Sequence, residues 1–145
     1  MIELDTINPN NLKVLEVINQ NTIPEGVRSF SPQYYKETVQ VGSLAQYAYF
    51  NNVCVGAVRC KKETHNKSSK VQILSLGVLP AYRKYGAGTK LLEHAVNTAK
   101  DIGSKEIYVQ LPQKLNAKDW FLRRGFTELS ESSNEDTAVL NHPLY

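Results

Sequence analysis

A β-rich run at residues 70–79 feeds into a basic turn, Arg83-Lys84-Tyr85-Gly86-Ala87-Gly88, and that turn opens a helix. Leu91, Leu92, Ala95, Val96 and Ala99 recur at helical spacing after it. This strand–turn–helix unit limits the fold more than any other feature. Gly86 and Gly88 allow positive φ and bring backbone close to a ligand. The N–H groups of 84–89 then sit at a helix N-terminus, where the helix dipole adds partial positive charge. Arg83 and Lys84 add full charges, so the turn has the physics of a pyrophosphate cradle. The competing phosphate motifs are missing: there is no G-x-x-x-x-G-K-[ST], and no third glycine with a downstream acid for a dinucleotide fingerprint.

The rest of the chain reads as alternating strands and helices. A short edge strand is expected at 2–5. A helix is expected at 9–20, with Asn8 as cap and Pro9 in its first turn. Pro24 and Gly26 mark 21–30 as a loop, and Ser31-Pro32 starts a second helix that Gly42 stops. Strands at 44–50 and 53–60 are joined by Asn51-Asn52, a tight hairpin turn. Residues 61–69 read as a polar loop, and the main helix runs over 89–102 to Gly103. A strand at 105–111, a short helix at 116–124 and strands at 126–130 and 137–141 close the chain. The order β-α-α-β-β-β-α-β-α-β-β predicts a single mixed α/β domain over 1–145.

Composition narrows the class. A chain of 145 residues with 41% hydrophobic and 21% charged residues is ordinary for a globular protein. The uncharged stretch 39–58 is broken by Gln40, Gln46, Asn51 and Asn52, so no membrane span is expected. The N-terminus lacks the pattern of a signal peptide, which points to the cytoplasm. Cys54 and Cys60 suit small core residues and cannot form a disulfide framework. No metal-ligand spacing appears, and His65, His94 and His142 read as surface or packing residues. Tyr47 and Tyr49 share a strand face and read as core packing, with closure of a hydrophobic substrate groove as the alternative. Net charge is only +3, but 59–90 carries Arg59, Lys61, Lys62, Lys67, Lys70, Arg83, Lys84 and Lys90 against one acid, Glu63. That stretch is either a solvated face or the site of an anionic partner.

The turn resembles the acetyl-coenzyme A signature [RQ]-x-x-G-x-[GA] of the GNAT acetyltransferase superfamily. The segments LAQYAYFNNVCVGAVRC, LGVLPAYRKYGAGTKLL and WFLRRGF are similar to catalytic subunits of NatE-type (San-type) protein N-terminal acetyltransferases, over about residues 12–126. The resemblance implies a GNAT fold: a mixed, mostly antiparallel sheet with splayed central strands, flanked by helices. It implies acetyl-CoA as cosubstrate and no metal. It places the cofactor on Leu76, Gly77, Val78, Arg83, Lys84, Tyr85, Gly86, Ala87, Gly88 and Thr89, with Asn116 and Phe121 near the thiol end. It places the peptide at Ile23, Pro24, Glu25, Phe30 and Leu74. The family's substrate loop has a Phe-Pro-Val run and then a Tyr; here Glu25 replaces an apolar contact. A later family loop with a Tyr pair is shortened between Glu128 and Thr137.

The catalytic positions depart most from the pattern. The family's Tyr and His, which hold a water as general base, align with Gln72 and Gln110, and a thiolate-protonating Tyr aligns with Phe121. None of the three titrates near neutral pH. General acid–base help is worth about 10²–10⁴-fold. An α-amine with a pKa of about 7.7–8.0 is already roughly one-quarter neutral in the cell, while a lysine amine near about 10.4 is not. A base-poor site therefore penalises lysine acetylation more than N-terminal acetylation. Three readings follow. The first is an N-terminal acetyltransferase of nascent chains, with weak activity. The second is a degenerate acetyl-CoA-binding subunit serving assembly. In both, the implied partners are the auxiliary and catalytic subunits of the NatA complex and the ribosome. The third is a nucleic-acid-binding domain, disfavoured because no RNP, helix-turn-helix or KH pattern is present.

Overall fold

Asn51 and Asn52 take φ of 49° and 70°, the paired left-handed geometry of a two-residue hairpin turn. They join β2 (Ala45–Phe50) to β3 (Val53–His65), which pair antiparallel. The computed structural model describes residues 1–23 and 30–144. The remaining elements are β1 (Ile2–Thr6), α1 (Leu12–Thr22), α2 (Pro32–Thr38), β4 (Ser68–Val78), α3 (Ala87–Asp101), β5 (Glu106–Pro112), α4 (Ala117–Leu122), β6 (Thr127–Glu128) and β7 (Thr137–Pro143), with 3₁₀ turns at Gly42–Leu44 and Pro80–Tyr85.

The seven strands form one sheet ordered β1-β2-β3-β4-β5-β7-β6, so β1 is an edge strand as expected. β4 and β5 are parallel, joined through α3, and register pairs them from Val71↔Ile107 to Ile73↔Val109. β1–β2, β5–β7 and β6–β7 are antiparallel. This is a mixed sheet of the kind the resemblance implies.

Residues group into two compact units, and β3, β4 and α3 contribute to both. The first holds 1–60 and 75–98; its core includes Leu15, Ile18, Tyr47, Val55, Val58 and Leu91. The second holds 61–74 and 99–145; its core includes Val71, Ile107, Val109, Phe121, Phe126 and Leu140.

Four local expectations are corrected. Helix α1 begins at Leu12, three residues later than Pro9 predicts, because Asn8 folds a turn instead. Its Oδ1 accepts the N–H of Asn10 (2.9 Å) and Asn11 (3.2 Å), and Asn11 Oδ1 accepts the N–H of Asn8 at 2.8 Å. Helix α2 ends at Thr38, and Gly42, with φ 59°, opens a 3₁₀ turn. β3 does not stop at Cys60 but continues through Lys61–His65, and the chain reverses at Asn66, φ 52°. Finally, Arg59 is no part of a basic face. It is 2% exposed; its Nε donates to Thr38 Oγ1 at 3.0 Å, its Nη1 to the Cys60 carbonyl, and its guanidinium lies 5.5 Å from the Tyr34 ring centre.

Tyr47 is fully buried and donates to the Asn11 carbonyl at 2.6 Å, a core role as read. Burial pushes the Cys60 thiol up to about 12 and the Cys54 thiol up to about 11, which leaves both protonated at neutral pH. His94 and His142 have packing roles. His94 Nε2 lies 2.8 Å from the Ser43 carbonyl, and the His142 ring stacks on Phe126 at 5.7 Å.

Candidate active site

In the first unit, β4 ends on a short structured turn. Leu79 N–H donates to the Val55 carbonyl at 2.7 Å, and Tyr82 N–H to the Leu79 carbonyl at 2.9 Å. Residues Pro80–Tyr85 form the 3₁₀ turn, and Gly86 at φ 84° swings the chain into α3. A β-carbon on Gly86 meets nothing within 4 Å, so φ and not space dictates glycine there. The first helical bond runs from Lys90 N–H to the Gly86 carbonyl at 3.0 Å. The amides of Ala87 and Gly88 therefore precede it, at the positive end of a 15-residue helix. Arg83 is tethered by an Nε bond to the Val78 carbonyl at 2.9 Å; it and Lys84 are exposed beside those amides. Tyr85 packs on Phe50 at 4.5 Å. The turn can hold a polyphosphate: backbone donors, helix dipole and two cations converge on residues 83–88.

The positions carried over on β4 divide in the same unit. Leu76 is half-buried and Val78 is buried. Gly77 lies under Gly56, whose added β-carbon would meet the Gly77 carbonyl at 2.7 Å. Ser75, unremarked in the sequence, bonds Tyr34 through its hydroxyl at 2.6 Å, and Tyr34 stacks on Phe30 at 4.2 Å. Burial pushes the Tyr34 phenol up to about 12. Of the peptide positions, Ile23 follows α1 and Phe30 lines an open depression of about 590 Å³ with Glu16, Asn19 and Tyr35. Pro24 and Glu25 lie outside the described residues.

In the second unit, register sets Gln72 on β4 opposite Tyr108 on β5. Gln110 lies two residues further along β5, on the face of Tyr108, and is exposed. Tyr108 Oη donates to Glu63 Oε1 at 2.6 Å and lies 3.3 Å from Gln72 Oε1; Lys70 Nζ sits 4.8 Å from its ring centre. Burial first, then the Glu63 carboxylate, raises the phenol's pKa above its ordinary 10.0. The sequence singles out Gln72 and Gln110 as catalytic candidates, and neither Glu63 nor Tyr108, which the structure joins to Gln72. Alternation along β5 gave one signal, since Tyr108 and Gln110 share parity. Glu63 was hidden because its segment read as a loop.

Phe121 is a core residue, edge-on to Trp120 (5.0 Å) and to Phe126 (5.2 Å), while Asn116 is exposed just before α4 and makes no capping bond. Leu74 is half-buried on β4. The short segment between β6 and β7 is pinned by Asn134 Oδ1, which accepts the N–H groups of Asp136 and Thr137, each at 2.8 Å. Among the described residues no group of three or more His, Cys, Asp or Glu is placed to hold a metal, and no helix is long and apolar enough to cross a membrane.

Known proteins match this arrangement. Residues 14–126 fit the profile of the acetyltransferase (GNAT) family. The chain is 59% identical over 144 residues to an uncharacterized N-acetyltransferase of Schizosaccharomyces pombe, covering 99% of this chain and 100% of that one. It is 35% identical to N-alpha-acetyltransferase 50 of Danio rerio over 92% of this chain and 79% of the relative. The solved structure of Arabidopsis thaliana Naa50 in complex with the bisubstrate analogue CoA-Ac-MVNAL superposes with a TM-score of 0.84 at 27% identity, covering 97% of both chains. By sequence and by fold, this chain is a member of the GNAT acetyltransferase family.

Proposed function

We propose that the chain is a protein N-terminal acetyltransferase that moves the acetyl group of acetyl-CoA to the α-amine of a peptide, with Met-starting peptides among its substrates. The observation that carries the reading is the intact turn at 83–88: a glycine at φ 84°, two amides ahead of the first helical bond, and a tethered arginine. The relative named N-alpha-acetyltransferase 50 and the Naa50 structure with a CoA–peptide analogue support the peptide side. In the reaction the amine nitrogen bonds to the acetyl carbonyl carbon, the carbon–sulfur bond breaks, the nitrogen sheds one proton and the CoA thiolate gains one. Arg83, Lys84 and the amides of 87 and 88 would hold the pyrophosphate.

The finer reading places the protein in the cytoplasm with the NatA subunits at the ribosome. Co-purification with those subunits tests it. A second reading, a cofactor-binding subunit without turnover, draws support from Gln72 and Gln110, two amides where the family has titratable groups.

One calorimetric and kinetic series tests the reading. Acetyl-CoA is titrated into the wild-type chain and into Gly86→Glu, and turnover is followed on Met-starting peptides with free or blocked N-termini. Binding by the wild type, its loss in the variant and acetylation of free N-termini alone are expected. A side chain at 86 meets open space but is strained at φ 84°, so Gly86→Ala is titrated beside it: loss in both variants reports on the backbone, and loss confined to Gly86→Glu reports on the anion. Binding without turnover on any peptide would support the second reading instead.

A further inference from the structure

The two amides that align with the family's catalytic pair supply no base, yet a carboxylate stands two hydrogen bonds from Gln72. Tyr108 links them: its phenol faces Gln72 at 3.3 Å and gives its proton to Glu63 at 2.6 Å. A phenol has a single proton, and the shorter bond to Glu63 claims it. The Gln72 amide therefore serves the phenol oxygen best with its Nε2 turned toward it, since oxygen and nitrogen of an amide are assigned from such networks. That leaves the phenol oxygen polarised, with one lone pair open beside Gln72.

We propose that Glu63 and Tyr108 form the proton relay of this enzyme, standing in for the family's Tyr and His. The proposal rests on the acetyltransferase reading above. As the α-amine nitrogen bonds to the acetyl carbon, its N–H becomes far more acidic. The Tyr108 oxygen takes that proton while the phenol's own proton passes to Glu63 Oε1, so one O–H bond forms as another breaks. Glu63, half-exposed, then returns the proton to water, and the CoA thiolate is protonated from solvent. The phenol is never an anion in this scheme, which suits its buried position. The charged groups around it come from three strands: Glu63 on β3, Lys70 on β4 with Nζ over the ring, and Glu106 on β5. Asn141, opposite Tyr108 on β7, is uncharged and bonds Glu106. Tyr108 touches the amine in this scheme, and Glu63 acts through it as a positioning and accepting group.

The test uses Glu63→Gln, Tyr108→Phe and the double variant, with acetyl-CoA titration, melting temperature, and kcat and KM on a Met-starting peptide. Both single variants should bind acetyl-CoA as the wild type does. Each should lose about tenfold or more in kcat, with KM for the peptide little changed, since general-base help is worth about 10²–10⁴-fold. The double variant should be no slower than the worse single one, because residues acting as a unit are not additive. Added formate should restore part of the Glu63→Gln turnover, which a merely structural carboxylate would not allow. Wild-type kcat in both single variants, or additive losses without formate rescue, overturns the relay and leaves the acetyltransferase reading standing. A wild-type chain that binds acetyl-CoA and acetylates no free N-terminus overturns that reading, and the relay with it.

Discussion

A β-carbon placed on Gly77 would lie 2.1 Å from Oγ1 of Thr22 and 2.6 Å from its Cβ. The last residue of α1 thus rests on the bare backbone of β4. Thr22 cannot swing away cheaply, because its hydroxyl donates to the Ile18 carbonyl at 2.7 Å. Gly77, near the end of β4, is accounted for by packing inside the first unit.

Gly77→Ala should therefore destabilise the fold by about 1–3 kcal/mol, the usual cost of overpacking a filled site. Thermal unfolding measures it. Thr22→Gly in the same chain should recover part of the loss, since it removes both clashing atoms. A variant Gly77→Ala that melts with the wild type would show that α1 sits elsewhere in solution.

Arg59 gives a second test. Its charge is met by the Thr38 hydroxyl, the Cys60 carbonyl and the Tyr34 ring, and burial lowers its pKa. Arg59→Ala leaves a cavity and strips those partners, and should cost about 2–4 kcal/mol in chemical denaturation. Arg59→Met fills the space without a buried charge and should cost clearly less, since apolar replacements of buried ions are often neutral. Equal losses would mean that the hydrogen bonds, and not the volume, carry the stabilisation.

Stability should fall in alkali for a definite reason. The Cys54 and Cys60 thiols rise from 9.0 to about 11 and about 12, and the Tyr34 phenol from 10.0 to about 12, all through burial first. Above pH 9 the unfolded chain loses these protons before the folded one, so it binds fewer protons and stability drops as pH rises. The contribution is whole below pH 9 and is lost progressively from there to about pH 12. A series of melting temperatures from pH 7 to 11 should be flat up to about 9 in this respect and then descend. Cys60→Ala should make the descent shallower.

How far the sequence could be read depends on whether a feature is local. Asn51-Asn52 and the 83–88 turn are legible because φ preference and helix-end chemistry reside in the residues themselves. The strand parity of Tyr108 and Gln110 is legible for the same reason. Glu63 is not, because its partner comes from another strand and register is set by the whole sheet. The segment 61–65 misleads because a strand carrying Lys61, Lys62 and His65 on exposed positions has the composition of a loop. Arg59 misleads in the opposite sense: composition puts a cation in water, and only the fold supplies Thr38 and Tyr34. Asn8-Pro9 satisfies the rules for a helix start, yet the competing side-chain turn wins.

The family pair offers the sharpest check on the chemistry. Where the resemblance implies Tyr and His, this chain has Gln72 and Gln110, and the structure sets Tyr108 beside Gln72 and Glu63 beside Tyr108. If the relay supplies the base, restoring Tyr and His should matter little while Glu63 is present and much once it is gone. The double replacement Gln72→Tyr with Gln110→His is therefore expected to raise turnover only modestly in the native chain. In the Glu63→Gln background it should recover about tenfold or more, within the range of general-base help. A tyrosine at 72 must share space with Tyr108, so some loss of melting temperature is expected, while Gln110 is exposed and tolerates a ring. Acetyl-CoA affinity should stay constant, because neither residue belongs to the 83–88 turn. The measurement is turnover on a Met-starting peptide in all four combinations of background and pair. A gain of equal size in both backgrounds would show that Glu63 does not carry the proton, and that the amides alone limit the rate.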